Sequence, residues 1–487
     1  MFDIISLSRK RNHYIFPATL LIGCLLLLIG CEEKTTSKTT SISIAGKIIN
    51  PITDYVVIRN YIDIQDTLQL NDKGVFDKKY KNIATGFYTF VHGNEYQSIY
   101  IGPGDSLRWR LNTKAFDESL AFTGATSKEN NYLIKLFLET ETNNRKILSE
   151  YQREPIDFKK MIDSLTGATI KQLKKIAKEN NFTDDFVEGT ERIIEFNSWT
   201  RLERYAYTHF GKNEILKSDF LPSNFYAHRH KLELNNTELL NKYTYRPYIT
   251  SLVSNIALYN CALKHGSGKL VDRNGFEYRS EKLNVIDSLF NNETLKSLFA
   301  GNETRNFIRS RKNIAEINKL VDQFLELSED EQLKNEITKM AATYINLDPG
   351  NKLPDFELYT YDQNTTQLSD QVKGLSVLFY WSDKNETYAL RIHKLVNGLR
   401  SKYPEINFIG INLDDPKSKT WREASSKFGF NESSEFQLVD NQSISKQLAL
   451  RNENRSMLIG PELIILDPNI NLFHYKIETT LLGYLSR

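Results

Sequence analysis

Few residues in this sequence stand where a reaction could be carried out, and most of them fall in one short polar turn. Ser382 to Tyr388 lie between the apolar run Val377 to Trp381 and a helical pattern with Ile392, Leu395, Val396 and Leu399 at steps of three and four. A strand, a turn and a helix in that order aim free amides and the positive end of a helix dipole at whatever the turn carries. A thiol placed there would be acidified and reactive. The turn holds no cysteine. Asp383 followed three residues later by Glu386 reads instead as a capping box, with Asp383 accepting from the first free amides and Glu386 reaching back. A metal or acid/base role for Asp383, Asn385 and Glu386 is the competing reading, but the turn has no histidine to complete a ligand set. His393 falls on the following helix and is assigned to its surface.

Other candidates are sparse. His228-Arg229-His230 is the closest histidine pair, and a spacing of two puts both on one side only in a strand, whereas Asn224 to Leu234 reads as loop and helix. Cys261 stands alone in an apolar helical pattern. The sequence has no glycine-rich phosphate loop, no Gly-x-Ser-x-Gly elbow and no His-Glu-x-x-His. A formal charge of +2 over 487 residues argues against a nucleic-acid binder. No cofactor is implied.

Tyr380-Trp381 and the turn behind them resemble the Phe-Trp-Ala-x-Trp-Cys-x-x-Cys segment of the TlpA-like thioredoxins, envelope disulfide reductases. By that match the two cysteine positions fall on Asn385 and Tyr388, neither of which forms a thiolate or a disulfide. Pro354-Asp355-Phe356-Glu357-Leu358 resembles the opening of TlpA-like and peroxiredoxin-like domains, and the resemblance runs from about Leu353 to the end. The peroxidatic cysteine of the peroxiredoxins is missing as well. Gly460-Pro461-Glu462-Leu463-Ile464-Ile465-Leu466-Asp467 resembles the segment in which a cis-proline precedes the fourth thioredoxin strand. The resemblance implies that Pro461 is cis and faces Asn385, and that the backbone beside it can pair with an extended peptide. The competing reading is that Pro461 only shapes the start of an edge strand. On the first reading Trp381, Asp383, Asn385, Gly460 and Pro461 form a binding site without catalytic residues.

The start of the chain reads as a targeting segment. Arg9, Lys10 and Arg11 precede an apolar run from about Tyr14 to Gly30, and Leu28-Ile29-Gly30-Cys31 has the layout of a lipobox. Residues 1–30 are then a lipoprotein signal peptide, Cys31 carries lipid, and 31–40 form a Lys/Thr/Ser-rich tether. A cut before Cys24 would leave Leu25 to Ile29 as an exposed apolar tail, and an uncleaved signal anchor is the alternative. Either places the rest of the chain in the cell envelope, and Glu32-Glu33 resemble the acidic export signal of some surface lipoproteins, which favours the outer membrane. With Cys24 removed and Cys31 a thioether, Cys261 is left alone and no intrachain disulfide can form.

The period along the chain changes twice. From 41 to 125 it is near two with frequent turns, giving a small β-sandwich whose Gly74-Val75-Phe76, Gly86-Phe87-Tyr88 and Gly102-Pro103-Gly104-Asp105 resemble the N-terminal β-domain, of unassigned function, of many TlpA-like lipoproteins. Residues 126–345 read as helices, expected at Asn131 to Leu148, Phe158 to Asn180, Asp185 to Phe210, Arg246 to Lys264, Glu303 to Leu327 and Glu329 to Tyr344. Phe196, Trp199, Leu202, Tyr205 and Ala206 form an aromatic stripe, assigned to packing before ligand binding. Residues 346–487 follow a Pro/Gly/Asn linker as a thioredoxin-like α/β domain, ending in a hairpin of Glu462 to Leu466 and Leu472 to Tyr475 about Asp467-Pro468-Asn469. The fold class is α+β multidomain.

Three functions compete. The chain is a lipid-anchored, redox-inactive thioredoxin-like protein that binds an extended peptide or an envelope protein. Alternatively it is a thiol:disulfide oxidoreductase using Cys261, or its thioredoxin-like domain is a packing platform for the rest.

Overall fold

The computed structural model describes residues 41–486 apart from 62–64, 82, 212–213, 267–269, 311–312, 417–419 and 451–454. Residues 1–40, read from the sequence as signal peptide and tether and including Cys24 and Cys31, lie outside the described residues.

Strands come first: β1 (Ile42–Ile49), β2 (Tyr55–Arg59), β3 (Gln65–Gln69), β4 (Val75–Tyr80), β5 (Gly86–His92), β6 (Glu95–Ile101), β7 (Ser106–Asn112) and β8 (Ala121–Thr123), with a one-turn helix α1 (Phe116–Ser119) before the last. They form two four-stranded sheets, β4-β1-β7-β8 and β3-β2-β5-β6. Alternation along each strand sends Ile44, Ile58, Phe90, Ile99, Leu107 and Trp109 into one shared core. Gly46 permits the close approach of Phe76, since a Cβ there would stand 2.6 Å from its ring.

Helices follow: α2 (Ser127–Glu150), α3 (Pro155–Asn180), α4 (Asp184–His209), α5 (Tyr245–His265), α6 (Phe276–Leu289), α7 (Glu293–Arg309), α8 (Ile314–Leu327) and α9 (Glu331–Asn346). The helix expected from Glu303 to Leu327 is two, because Asn313 caps α8 by accepting from the Ala315 amide at 2.8 Å. The α6 helix was not anticipated at all. The aromatic stripe on α4 is core: Phe196, Tyr205 and Ala206 are buried against α5 and the 3-10 turns. The first helix also finishes the sandwich. Asn130 on α2 accepts from the Tyr100 amide and donates to the Tyr100 carbonyl, both at 2.8 Å, so the outer edge of β6 is satisfied by a side chain.

The last part contains β9 (Glu357–Tyr359), β10 (Thr365–Gln367), α10 (Leu368–Gln371), β11 (Ser376–Trp381), α11 (Glu386–Lys402), β12 (Asn407–Asn412), α12 (Thr420–Phe428), β13 (Glu435–Leu438), α13 (Asn441–Gln447), β14 (Ser456–Ile459), β15 (Ile465–Ile470) and α14 (Ile477–Leu485). The sheet order is β10-β9-β13-β12-β11-β14-β15, with β11, β12 and β13 parallel and β14 antiparallel to β11. Every residue of β11 is buried, as a central strand covered on both faces requires.

The terminal hairpin differs from expectation. Its strands are β14 and β15, and Asp467-Pro468-Asn469 lies within β15 rather than at a turn. Proline is tolerated there because β15 is the sheet's edge and its outward amides need no partner. The reversal is made instead by Gly460 to Ile464, where Glu462 and Leu463 take positive φ of 58° and 67°.

Candidate functional site

Because β11, β12 and β13 are parallel, their carboxyl ends deliver Ser382–Asn385, Asp414 and Asp440 to one end of the sheet, where open α/β folds bind ligands. Asp414 ties this end together. Its carboxylate accepts from Ser382 Oγ at 2.8 Å, from the Asp383 amide at 2.8 Å and from Asn412 Nδ2 at 3.0 Å. The Leu413 amide donates to the Trp381 carbonyl at 2.9 Å, carrying the β11–β12 ladder to the base of the turn. Beside it lies a groove of about 820 Å³ whose wall includes Ser382, Lys384, Asp414, Asp440, Asn441 and Lys446.

The turn is capped differently from the capping box predicted. Asp383–Asn385 form a 3-10 turn whose cap is Ser382, its Oγ accepting from the Lys384 amide at 3.1 Å. That extra turn moves the start of α11 to Glu386, so Asn385 rather than Asp383 is its cap, accepting from the Tyr388 amide at 3.3 Å. Asn385 and Tyr388 thus stand at the first turn of α11, with the dipole behind them. Asn385 is exposed and Tyr388 half-buried, its ring 6.0 Å from Phe473.

Asp383 and Asp414 are neighbours, the Asp383 amide donating to Asp414 Oδ2 at 2.8 Å. Burial, followed by the hydrogen bond with Asp383, pushes the Asp414 carboxyl up to about 6. Burial also opposes the charge on Asp383, but hydrogen bonds from Asp414, Thr420 and its own amide outweigh it and hold that carboxyl below its ordinary value. Two adjacent carboxyls whose surroundings push their proton affinities apart are an acid/base device in form. Among the described residues no group of three or more His, Cys, Asp or Glu could hold a metal ion.

Trp381 and His393, by contrast, are not surface groups. Trp381 is fully buried and its Nε1 donates to Glu435 Oε2 at 2.8 Å, which removes it from the binding surface expected of it. His393 was assigned to the surface of α11 and is buried: Ala389, Ile392, His393 and Val396 make one stripe at i, i+3, i+4 and i+7. Its Nδ1 donates to the Ala389 carbonyl at 2.7 Å, its ring stacks on Phe430 with centroids 3.5 Å apart, and its Nε2 stands 3.3 Å from Glu435 Oε2. Glu435 fits only because Gly410 faces it, where a Cβ would stand 2.1 Å from Oε2.

Gly460 and Pro461 lie at the wrong end of the sheet for the site proposed from them. Among the described residues no peptide bond is cis, Pro461 included. Ile459 pairs with Ser376, the first residue of β11, so Pro461 lies beyond the opposite end of that strand from Asn385, about 16 Å of extended chain away. The strand antiparallel to β11 is Ser456–Ile459, a four-residue run overlooked in the sequence, and Pro461 follows it instead of preceding it. Nor is the backbone there open: Leu353 and Gly350 of the interdomain linker donate to the Leu463 and Ile465 carbonyls at 2.8 Å.

The remaining candidates do not converge. His228 is buried, its Nε2 2.8 Å from Glu203 Oε1, while His230 is exposed. Cys261 is fully buried and burial, reinforced by Glu277 and Glu281, pushes its thiol up to about 11, where it is no nucleophile at neutral pH.

Two measurements test this geometry. Glu435→Leu leaves Trp381 Nε1 buried without an acceptor, at a cost of about 1–3 kcal/mol, whereas Glu435→Gln retains an oxygen and costs less; equal losses in urea denaturation would show that the Trp381 bond is not what Glu435 supplies. For Asp414, a folded-state value raised from 3.8 to about 6 means stability present at acid pH and lost as pH rises through that interval. Asp414→Asn should therefore gain stability relative to the parent protein between those two pH values, read as the difference in urea midpoints.

Residues 349–474 match the AhpC/TSA family. No curated protein matches the chain. Solved structures that resemble it include a chain assigned as a thiol-disulfide oxidoreductase from Bacteroides vulgatus (19% identity, 28% of this chain and 97% of that one, TM-score 0.26). Another is assigned as the thiol:disulfide interchange protein DsbE from Chlorobium tepidum (19% identity, 28% and 96%, TM-score 0.25). A thioredoxin-like protein from Bacteroides caccae spans more of the chain (12% identity, 59% and 92%, TM-score 0.33). The family match and the sheet order agree: residues 349–474 are a thioredoxin-like domain of the AhpC/TSA family, carried behind a β-sheet region and a helical region.

Proposed function

We propose that this chain is a cell-envelope lipoprotein, anchored by lipid on Cys31 in the outer membrane, whose thioredoxin-like domain binds a protein or peptide partner and does not exchange disulfides. The chemical half of this reading rests on the resemblance that puts the attacking and resolving positions on Asn385 and Tyr388, and is supported by one observation: both stand at the N-terminal turn of α11 and neither is a thiol. Cys261 offers no substitute, since it is buried in the helical region. The partner surface is the groove at the carboxyl ends of β11, β12 and β13, with Ser382, Lys384, Asp414 and Lys446 as its polar contacts. Gly460 and Pro461 take no part in it.

The anchoring half rests on the order of basic residues, apolar run, lipobox and polar tether, with Glu32-Glu33 favouring the outer membrane.

Purified protein should reduce insulin at the background rate, with or without Cys261→Ser. Asn385→Cys combined with Tyr388→Cys should recover exchange, because the helix dipole is still aimed at both positions. Turnover by the parent protein that survives Cys261→Ser would refute the reading. The anchor is tested by mass spectrometry of the mature N-terminus, where Cys31 bearing diacylglycerol is expected and an intact chain from Met1 would contradict it.

A further inference from the structure

The seam between the β-sheet region and the helices holds a feature that the thioredoxin-like domain does not explain. A cavity of about 520 Å³ opens where the ends of β2, β5 and β6 meet α4 to α7. A second, of about 480 Å³, adjoins it and shares Tyr96, Arg204, Tyr243 and Pro247. Arg59, Arg204 and Arg246 line the first, and Arg201 and Arg204 the second. The rest of the first wall is mixed: Tyr61, Val253, Ile286 and Phe299 give it an apolar side, and Asn302, Glu303 and Asn306 a polar one.

None of these four arginines has a carboxylate within 4.0 Å among the described residues. Arg59 and Arg246 lie over the Tyr61 ring at 5.4 and 4.9 Å from its centroid, which holds two guanidinium groups within about 10 Å of each other. Arg204 Nε donates to Ser251 Oγ at 3.1 Å, and buried Arg201 donates to Asn144 Oδ1 at 3.3 and 2.9 Å. Elsewhere the helical region neutralises its partly and fully buried cations: Arg229 pairs with Glu203, and both Arg279 and Lys282 pair with Glu303. Glu303 is on the wall of the first cavity, but its two oxygens are already engaged at 2.8 and 2.6 Å. Glu141, on the wall of the second, is exposed.

Two polar atoms in these walls are shielded from solvent and have no hydrogen-bond partner, Arg59 Nε and Tyr243 Oη. Each such group costs about 1–3 kcal/mol while unmade, and a bound oxyanion would recover it. Arg59 and Arg246 are half-buried and Arg204 is exposed, and like charges gathered around one cavity repel one another unless something negative enters.

We propose that the two joined cavities bind a small organic polyanion, a polycarboxylate or a phosphate ester, whose charged groups pair with Arg59, Arg204 and Arg246 and whose body lies against Tyr61, Val253 and Phe299. The volumes are those of organic ligand sites and exceed what a lone inorganic anion would fill. The site uses no residue of the thioredoxin-like domain and stands whether or not that domain exchanges disulfides.

Calorimetric titration of the purified full-length protein with citrate and, separately, with fructose 1,6-bisphosphate tests this. Saturable, salt-weakened binding of at least one is expected, the responding probe identifying carboxylate or phosphate as the recognised group. Arg59→Gln with Arg246→Gln should weaken binding by about tenfold or more, while Lys175→Gln on the exposed face of α3, which lines neither cavity, leaves it unchanged. If the glutamine pair fails to fold, Arg59→Lys with Arg246→Lys retains the charge but not the bidentate fork, and should still weaken binding. Absence of saturable binding of both anions at millimolar concentration, or equal binding by the folded arginine variants, would overturn the proposal.

Discussion

The carboxylate of Asp414 is the tie on which the functional end of the thioredoxin-like domain depends. It receives hydrogen bonds from the hydroxyl of Ser382, the amide of Asp383 and the side chain of Asn412, so one residue after β12 fixes the turn after β11. In a redox-active relative of this layout the two thiols are the functional content of the turn, and the helix dipole activates them. Here the same dipole is met by the Asn385 cap and by Glu386 in the first turn, groups that stabilise a helix start and transfer no electrons. The turn is therefore held by hydrogen bonds from Ser382, Asp383 and Asn412 to Asp414 and by the Asn385 cap.

Beneath the turn, a second constraint holds β11 against its neighbours. Glu435 accepts from Trp381, stands beside His393 and occupies the space left by the missing side chain of Gly410. A buried carboxylate is costly unless its lone pairs are used. The tryptophan indole and the histidine, itself fixed by Ala389 and Phe430, supply the polar contacts around it. These residues come from β11, α11, β12 and β13, so the cluster reports the correct assembly of the βαβ core.

Much of this was legible in the residues. The period of two in 41–125 and the apolar run at 377–381 specify strands because half-buried and fully buried strands leave those patterns. His393 was also legible, since it completes the stripe Ala389, Ile392, Val396, but a titratable side chain at that position reads as polar until its partners are known. Asp414 was not: nothing in Asn412-Leu413-Asp414-Asp415 marks it, and only the β11–β12 register brings it under the turn. Pro461 follows the strand antiparallel to β11 instead of preceding it, because Ser456–Ile459 is only four residues long and too short to stand out from the apolar residues around it. The arginine-lined cavities lie further still from local pattern, since Arg59, Arg204 and Arg246 come from β2, α4 and α5 and line one cavity only in the assembled fold.

The most direct test of the claim that a carboxylate pair, in place of a thiol pair, organises this turn is a carboxyl ¹³C NMR titration of protein labelled at aspartate, with Asp383 and Asp414 assigned by substitution. The expected result is one resonance titrating near 6, lost in Asp414→Asn, and a second, assigned to Asp383, titrating below the ordinary 3.8. Both carboxyls titrating independently at the ordinary value would contradict it.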